Sequence, residues 1–158
     1  MQKLVLYGTL TLTFAIVLFV ACSKDKFETK PTLTIKSFSP NPVPENSPLV
    51  IELEYTDKEG DIASGDSALF VRRYRINQKK VAITLRDSFW MPLPDDVPKK
   101  TKGTIRLTFQ YQADVVSASD PGSGTDKAPD SLIYRFAVRD KAQHVSDTVE
   151  SGILVVER

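Results

Sequence analysis

The sequence predicts an all-β fold, an antiparallel sandwich of about seven short strands, and three observations carry that expectation. Several segments of seven to nine residues alternate apolar and polar side chains with period two, as a strand with one buried face requires. No stretch after residue 22 repeats apolar residues at helical spacing over three turns. Nine of the ten prolines fall between residues 40 and 129, in connections or at strand ends.

In chain order, the first strand is Leu33 to Phe38, followed by a stiff proline-rich connection, SPNPVPENSP, at residues 39–48. Leu49 to Thr56 sets Leu49, Ile51, Leu53 and Tyr55 on one face. Ala68 to Ile76 reads both ways: Phe70, Tyr74 and Ile76 share a face with Arg72, while Leu69 and Val71 share one with Arg73 and Arg75. We place the Phe70 face inward, with Arg72 paired to an acid. Lys80 to Arg86 groups Val81, Ile83 and Leu85, and Thr104 to Gln112 alternates without exception, with Ile105, Leu107, Phe109 and Tyr111 inward. Ala113 to Asp130 follows as a polar connection, long enough (above about 15 residues) to be a mobile or binding loop. Ser131 to Arg139 turns Leu132, Tyr134, Phe136 and Val138 inward, and Val145 to Val156 closes the fold, broken at Gly152.

Ahead of this body stands a leader. Lys3 precedes an uncharged run from Leu4 to Ala21, and the only cysteine, Cys22, ends it. The 18-residue run is long enough to cross a bilayer as a helix, so the position of the cysteine decides between an uncleaved span and a cleaved export signal. Phe19-Val20-Ala21-Cys22 resembles the lipobox of bacterial lipoproteins, with phenylalanine where leucine is most usual. The resemblance implies a signal peptide at 1–21, a lipid-modified Cys22 opening a polar tether at 22–31, and a domain at 32–158. Two or three acyl chains hold a protein stably where one holds it marginally. Without Lys3 the chain keeps 20 basic and 20 acidic residues, which argues against a nucleic-acid partner. Ser23 after the cysteine, rather than aspartate, points to the outer membrane of the cell envelope.

Three blocks carry a second resemblance. Tyr55-Thr56-Asp57-Lys58-Glu59-Gly60-Asp61-Ile62, Lys102-Gly103-Thr104-Ile105 and the run from Phe136 to Val149 are similar to blocks of immunoglobulin-like surface lipoproteins of the Bacteroidota. That resemblance implies an immunoglobulin-like sandwich and a cell-envelope setting, and no activity. Gln143-His144 stands where such proteins more often carry Gly-Asn.

The chemistry-bearing residues argue against an enzyme. Nucleophilic catalysis needs a base beside the nucleophile, yet the sole histidine, His144, lies in an expected turn and the sole cysteine belongs to the anchor. No phosphate-binding glycine loop or H-E-x-x-H motif is present. Alternating strand directions place the loops 57–67, 87–103 and 140–144 at one end, where Asp57, Glu59, Asp61 and Asp140 can converge. Calcium takes six to eight oxygens, so such a cluster is a candidate calcium site. The simpler expectation is that these aspartates cap the backbone N–H groups of their own turns. At the same end, Phe89 and Trp90 either plug the core or form an exposed aromatic platform for a glycan. Two functional expectations follow: a lipid-anchored, non-catalytic interaction or scaffold module contacting an envelope protein, or an accessory carbohydrate-binding lipoprotein.

Overall fold

A computed structural model describes residues 30–62, 65, 67–77, 86–116 and 128–158. The leader with Cys22, most of the strand expected at Lys80 to Arg86, and the loop aspartates 66, 120 and 126 lie outside the described residues. The strands are β1 (Thr32–Ser39), β2 (Leu49–Thr56), β3 (Leu69–Arg75), β4 (Ser88–Met91), β5 (Lys102–Phe109), β6 (Asp130–Val138), β7 (Val149–Glu150) and β8 (Leu154–Val156). They form the expected antiparallel sandwich. One sheet has the order β1-β2-β5, the other β4-β3-β6-β7, with β8 also pairing β6.

The period-two alternation explains the core directly. Leu49, Ile51, Leu53 and Tyr55 of β2 are fully buried, and eight unbroken pairs run from Leu49↔Phe109 to Thr56↔Lys102, setting Ile105, Leu107 and Phe109 of β5 on the same inner face. From the facing sheet come Leu132, Tyr134, Phe136 and Val138 of β6, with Leu154 and Val156 of β8. Phe109 stacks on Tyr134 at 5.2 Å between ring centroids, and Tyr134 lies parallel to Phe136 at 6.0 Å. The last strand is broken as expected, between Glu150 and Leu154. In the gap, the Ser151 N–H donates to the Tyr134 carbonyl, and the buried Ser151 hydroxyl accepts the Tyr134 N–H and donates to the Gly152 carbonyl, so both backbone groups of Tyr134 stay bonded.

Burial raises the Tyr134 phenol to about 12, with Arg73 working against the shift. Its folded value lies above the unfolded value near 10, so its contribution is fully present below pH 10 and lost as pH rises through 12. The folded state should therefore lose about 2–3 kcal/mol of stability across that window. Tyr134→Phe should flatten, without abolishing, the decline of denaturant midpoint between pH 10 and 12, because burial also raises Tyr55 and Tyr111.

The structure corrects the sequence reading in four places. In β3 the inward face is Leu69, Val71 and Arg73, while Phe70 is half-buried on the outside. Register with β6 decides this: Leu69↔Val138, Val71↔Phe136 and Arg73↔Tyr134 are opposite pairs, and opposite residues share a face. Arg73 is thus 4% exposed, and it is tolerated there because Nη1 donates to the Asp114 carbonyl at 2.5 Å and Nη2 to the Arg86 carbonyl at 3.1 Å.

The second correction is at β5, which ends at Phe109 rather than Gln112. Residues 111–115 coil into one wide turn in which the Val115 N–H bonds the Gln110 carbonyl and the Val116 N–H the Tyr111 carbonyl. The Asp114 carboxylate accepts the Gln110 N–H at 2.8 Å, and Tyr111, Val115 and Val116 are buried. The polar connection expected from Ala113 onward therefore starts as a plug of the core. Third, Ser88–Met91 is a short edge strand on β3, with Phe70↔Trp90 and Val71↔Phe89 opposite one another, and not part of an end loop. Fourth, residues 39–48 do more than span: two X-Pro bonds, at Pro40 and Pro42, are cis, and Val43 is buried in a parallel bridge to Val156.

Candidate functional sites at the loop end and on the outer sheet face

The β2–β3 and β6–β7 loops meet as topology demands. Asp57 continues β2, its N–H donating to the Thr101 carbonyl at 2.8 Å, and Ile62 pairs with Asp140 in an antiparallel bridge. Gly60 makes the fit possible: it has φ 66°, and a Cβ there would sit 3.2 Å from the Lys100 carbonyl carbon. The result brings carboxylate oxygens of Asp57, Asp61 and Asp140 within 4.8 Å of one another. Asp57 is 2% exposed and Asp140 1%. Glu59, included in the expected set, is exposed and outside this group because the tight turn at Gly60 leaves it on the solvent side.

The turn-capping expectation also describes part of what is found. Asp57 Oδ2 accepts the Asp61 N–H at 2.6 Å. Asp140 Oδ1 accepts the His144 N–H, and Oδ2 meets His144 Nδ1, both at 2.8 Å. Asp57 Oδ1, however, is buried with no hydrogen-bond partner. Burial raises the Asp57 carboxyl above the usual carboxylate range; the Asp61 N–H opposes the shift, and the charges of Asp61, Glu59 and Asp140 add to it.

Gln143, in the turn after Asp140, takes φ 71°, the left-handed region that favours glycine. The departure noted at this position therefore carries a conformational cost. Gln143→Gly should raise stability by about 1 kcal/mol, less whatever the exposed Arg139–Gln143 hydrogen bond contributes, read as a higher melting temperature.

Phe89 and Trp90 are not brought together on one platform. Neighbours in a strand point to opposite faces, so Phe89 packs partly buried against the core while Trp90 lies on the outer face, tilted on Phe70 at 5.3 Å. The Arg139 guanidinium stands 3.8 Å from the indole centroid. A sugar ring stacking on that side of Trp90 would have to displace it. Missed at the sequence level is the row this begins: on the same sheet face, Tyr74 is flanked by Arg72 at 4.5 Å and Arg135 at 4.6 Å. The available signal was the arginine spacing in β3, which makes sense only once β6 supplies Arg135 opposite Arg72.

The other sheet's outer face differs. There Glu52 lies near Lys36 and Arg106, and Glu54 pairs with Lys102 at 3.0 Å, an interleaving of both signs. No protein-family model, curated protein or solved structure matches the chain.

Proposed function

We propose that the chain is a lipid-anchored interaction domain of the cell envelope, non-catalytic, held through Cys22 and contacting a second envelope protein through the outer face of the β4-β3-β6-β7 sheet. We read the division of strands, β1-β2-β5 against β4-β3-β6-β7, as immunoglobulin-like, in keeping with the resemblance to Bacteroidota surface lipoproteins. Support for the anchor is the Phe19-Val20-Ala21-Cys22 sequence, ten residues ahead of the first residue of β1.

The observation that carries the choice of face is the arginine–aromatic row, Arg139 on Trp90 and Arg72 and Arg135 on Tyr74. Arginine and aromatic side chains dominate binding energy at protein interfaces, and guanidinium groups held over rings are preorganised for a partner's carboxylates. On this face Arg135 has Glu150 at 2.6 Å as a carboxylate partner already, which shows the geometry such an acid takes. A photo-crosslinking residue at position 72 should capture a membrane-associated protein in living cells, and one at position 106, on the other sheet, should not. Equal capture from both positions contradicts the choice of face. The carbohydrate-binding alternative has a separate readout: glycan binding that is lost in Trp90→Ala and unchanged in Arg72→Ala.

A further inference from the structure

The carboxylates at the loop end are not explained by turn capping alone. Asp57 Oδ2 accepts the Asp61 N–H and His144 engages both oxygens of Asp140, but Asp57 Oδ1 is left buried without a donor, in a residue 2% exposed. A buried carboxylate oxygen without a partner is costly, and it is costlier in a carboxylate that lies within 4.8 Å, oxygen to oxygen, of two others. A bound cation resolves both terms together.

We infer that Asp57, Asp61 and Asp140 form a calcium site that clamps the β2–β3 loop to the β6–β7 loop. The donor set decides the class of ion: three carboxylates offer hard oxygen ligands and no thiolate, which suits calcium or magnesium over zinc or copper. Between those two, calcium accepts irregular geometry and six to eight oxygens. Magnesium demands near-ideal octahedral placement at shorter distances. Asp57 and Asp140 are fixed by backbone N–H groups of two different loops, and such fixed, unevenly placed carboxylates fit the larger ion. Glu59 takes no part. The site lies at the end of the sandwich where β1 begins, since Thr32 is opposite Thr56 next to Asp57, so the ion stiffens the end from which the tether leaves.

The full chain in detergent tests this by thermal unfolding and titration calorimetry. Extracellular-type calcium sites have Kd values of about 0.1–1 mM, so 10 mM calcium should raise Tm over EDTA by about 5 °C or more. Magnesium at 10 mM should give a smaller rise. Asp57→Asn keeps an oxygen to accept the Asp61 N–H and removes the buried charge; its Tm in EDTA should be no lower than wild type, and its calcium response should be absent. Wild-type melting that is the same in calcium and EDTA, with no calorimetric heat, overturns the site, as does an equal response to magnesium. None of these outcomes depends on the anchor or on the sheet-face partner, so each proposal stands or fails by itself.

Discussion

Phe136→Ala should cost about 3–5 kcal/mol, enough to unfold a domain of ordinary stability at moderate temperature. Phe136 has no exposed surface, and its ring lies between neighbours that cannot follow it inward: Tyr134 at 6.0 Å and 5° interplanar angle, and Phe109 at 6.4 Å from the facing sheet. Two strands of one sheet hold its backbone in place, because β6 pairs β3 over seven residues and β7 caps it at Val149. The cavity therefore stays open instead of collapsing. Chemical denaturation of Phe136→Ala against Phe136→Leu checks it, with leucine recovering most of the loss because it refills most of the volume.

Arg73→Ala should cost a comparable amount, about 3–5 kcal/mol, for a different reason. The Arg73 guanidinium is the donor that ties β3 to two segments, through the Asp114 carbonyl in the wide turn and the Arg86 carbonyl ahead of β4. Removing it leaves the Arg86 carbonyl without that donor, the Asp114 carbonyl, among the described residues, with a long bond from the Tyr134 hydroxyl at 3.3 Å, and a void where the stem lay. Arg73→Met keeps the volume and should lose about half as much. Arg73→Lys should resemble methionine more than wild type, since one ammonium on a flexible stem lacks the planar fork that reaches both carbonyls. Equilibrium denaturation of the three variants ranks them.

How much of this was legible in the sequence follows from what sets each feature. Strands β2, β5 and β6 could be read from alternation alone, because Leu49 to Tyr55, Ile105 to Phe109 and Leu132 to Val138 each keep one face apolar, and burial obeys that pattern from Leu49 to Tyr55. β3 could not, since both of its faces carry arginine, and the choice between them is made by its register against β6. The wide turn at 111–115 was hidden because Tyr111 is buried whether the chain continues as a strand or coils back; the backbone bonds to the Gln110 and Tyr111 carbonyls and the Asp114 carboxylate on the Gln110 N–H make the difference. β4 was hidden by its length of four residues.

At the loop end, the meeting of Asp57, Asp61 and Asp140 was legible from alternating strand direction, a topological consequence that needs no side-chain detail. Excluding Glu59 required the turn at Gly60, whose left-handed φ sends the chain back under Lys100. Separating Phe89 from Trp90 required knowing that they lie within a strand. The arginine–aromatic row needed partners from β3, β4 and β6 together, which no local pattern contains.

Intact-mass and peptide mass spectrometry of the membrane-extracted chain tests the central claim most directly, that an acylated thiol holds a β-sandwich at the envelope. The expected species begins at residue 22, with a mass increment of two or three fatty acyl chains carried on that first residue. A chain that retains residues 1–21, or one that begins elsewhere with Cys22 unmodified, contradicts it.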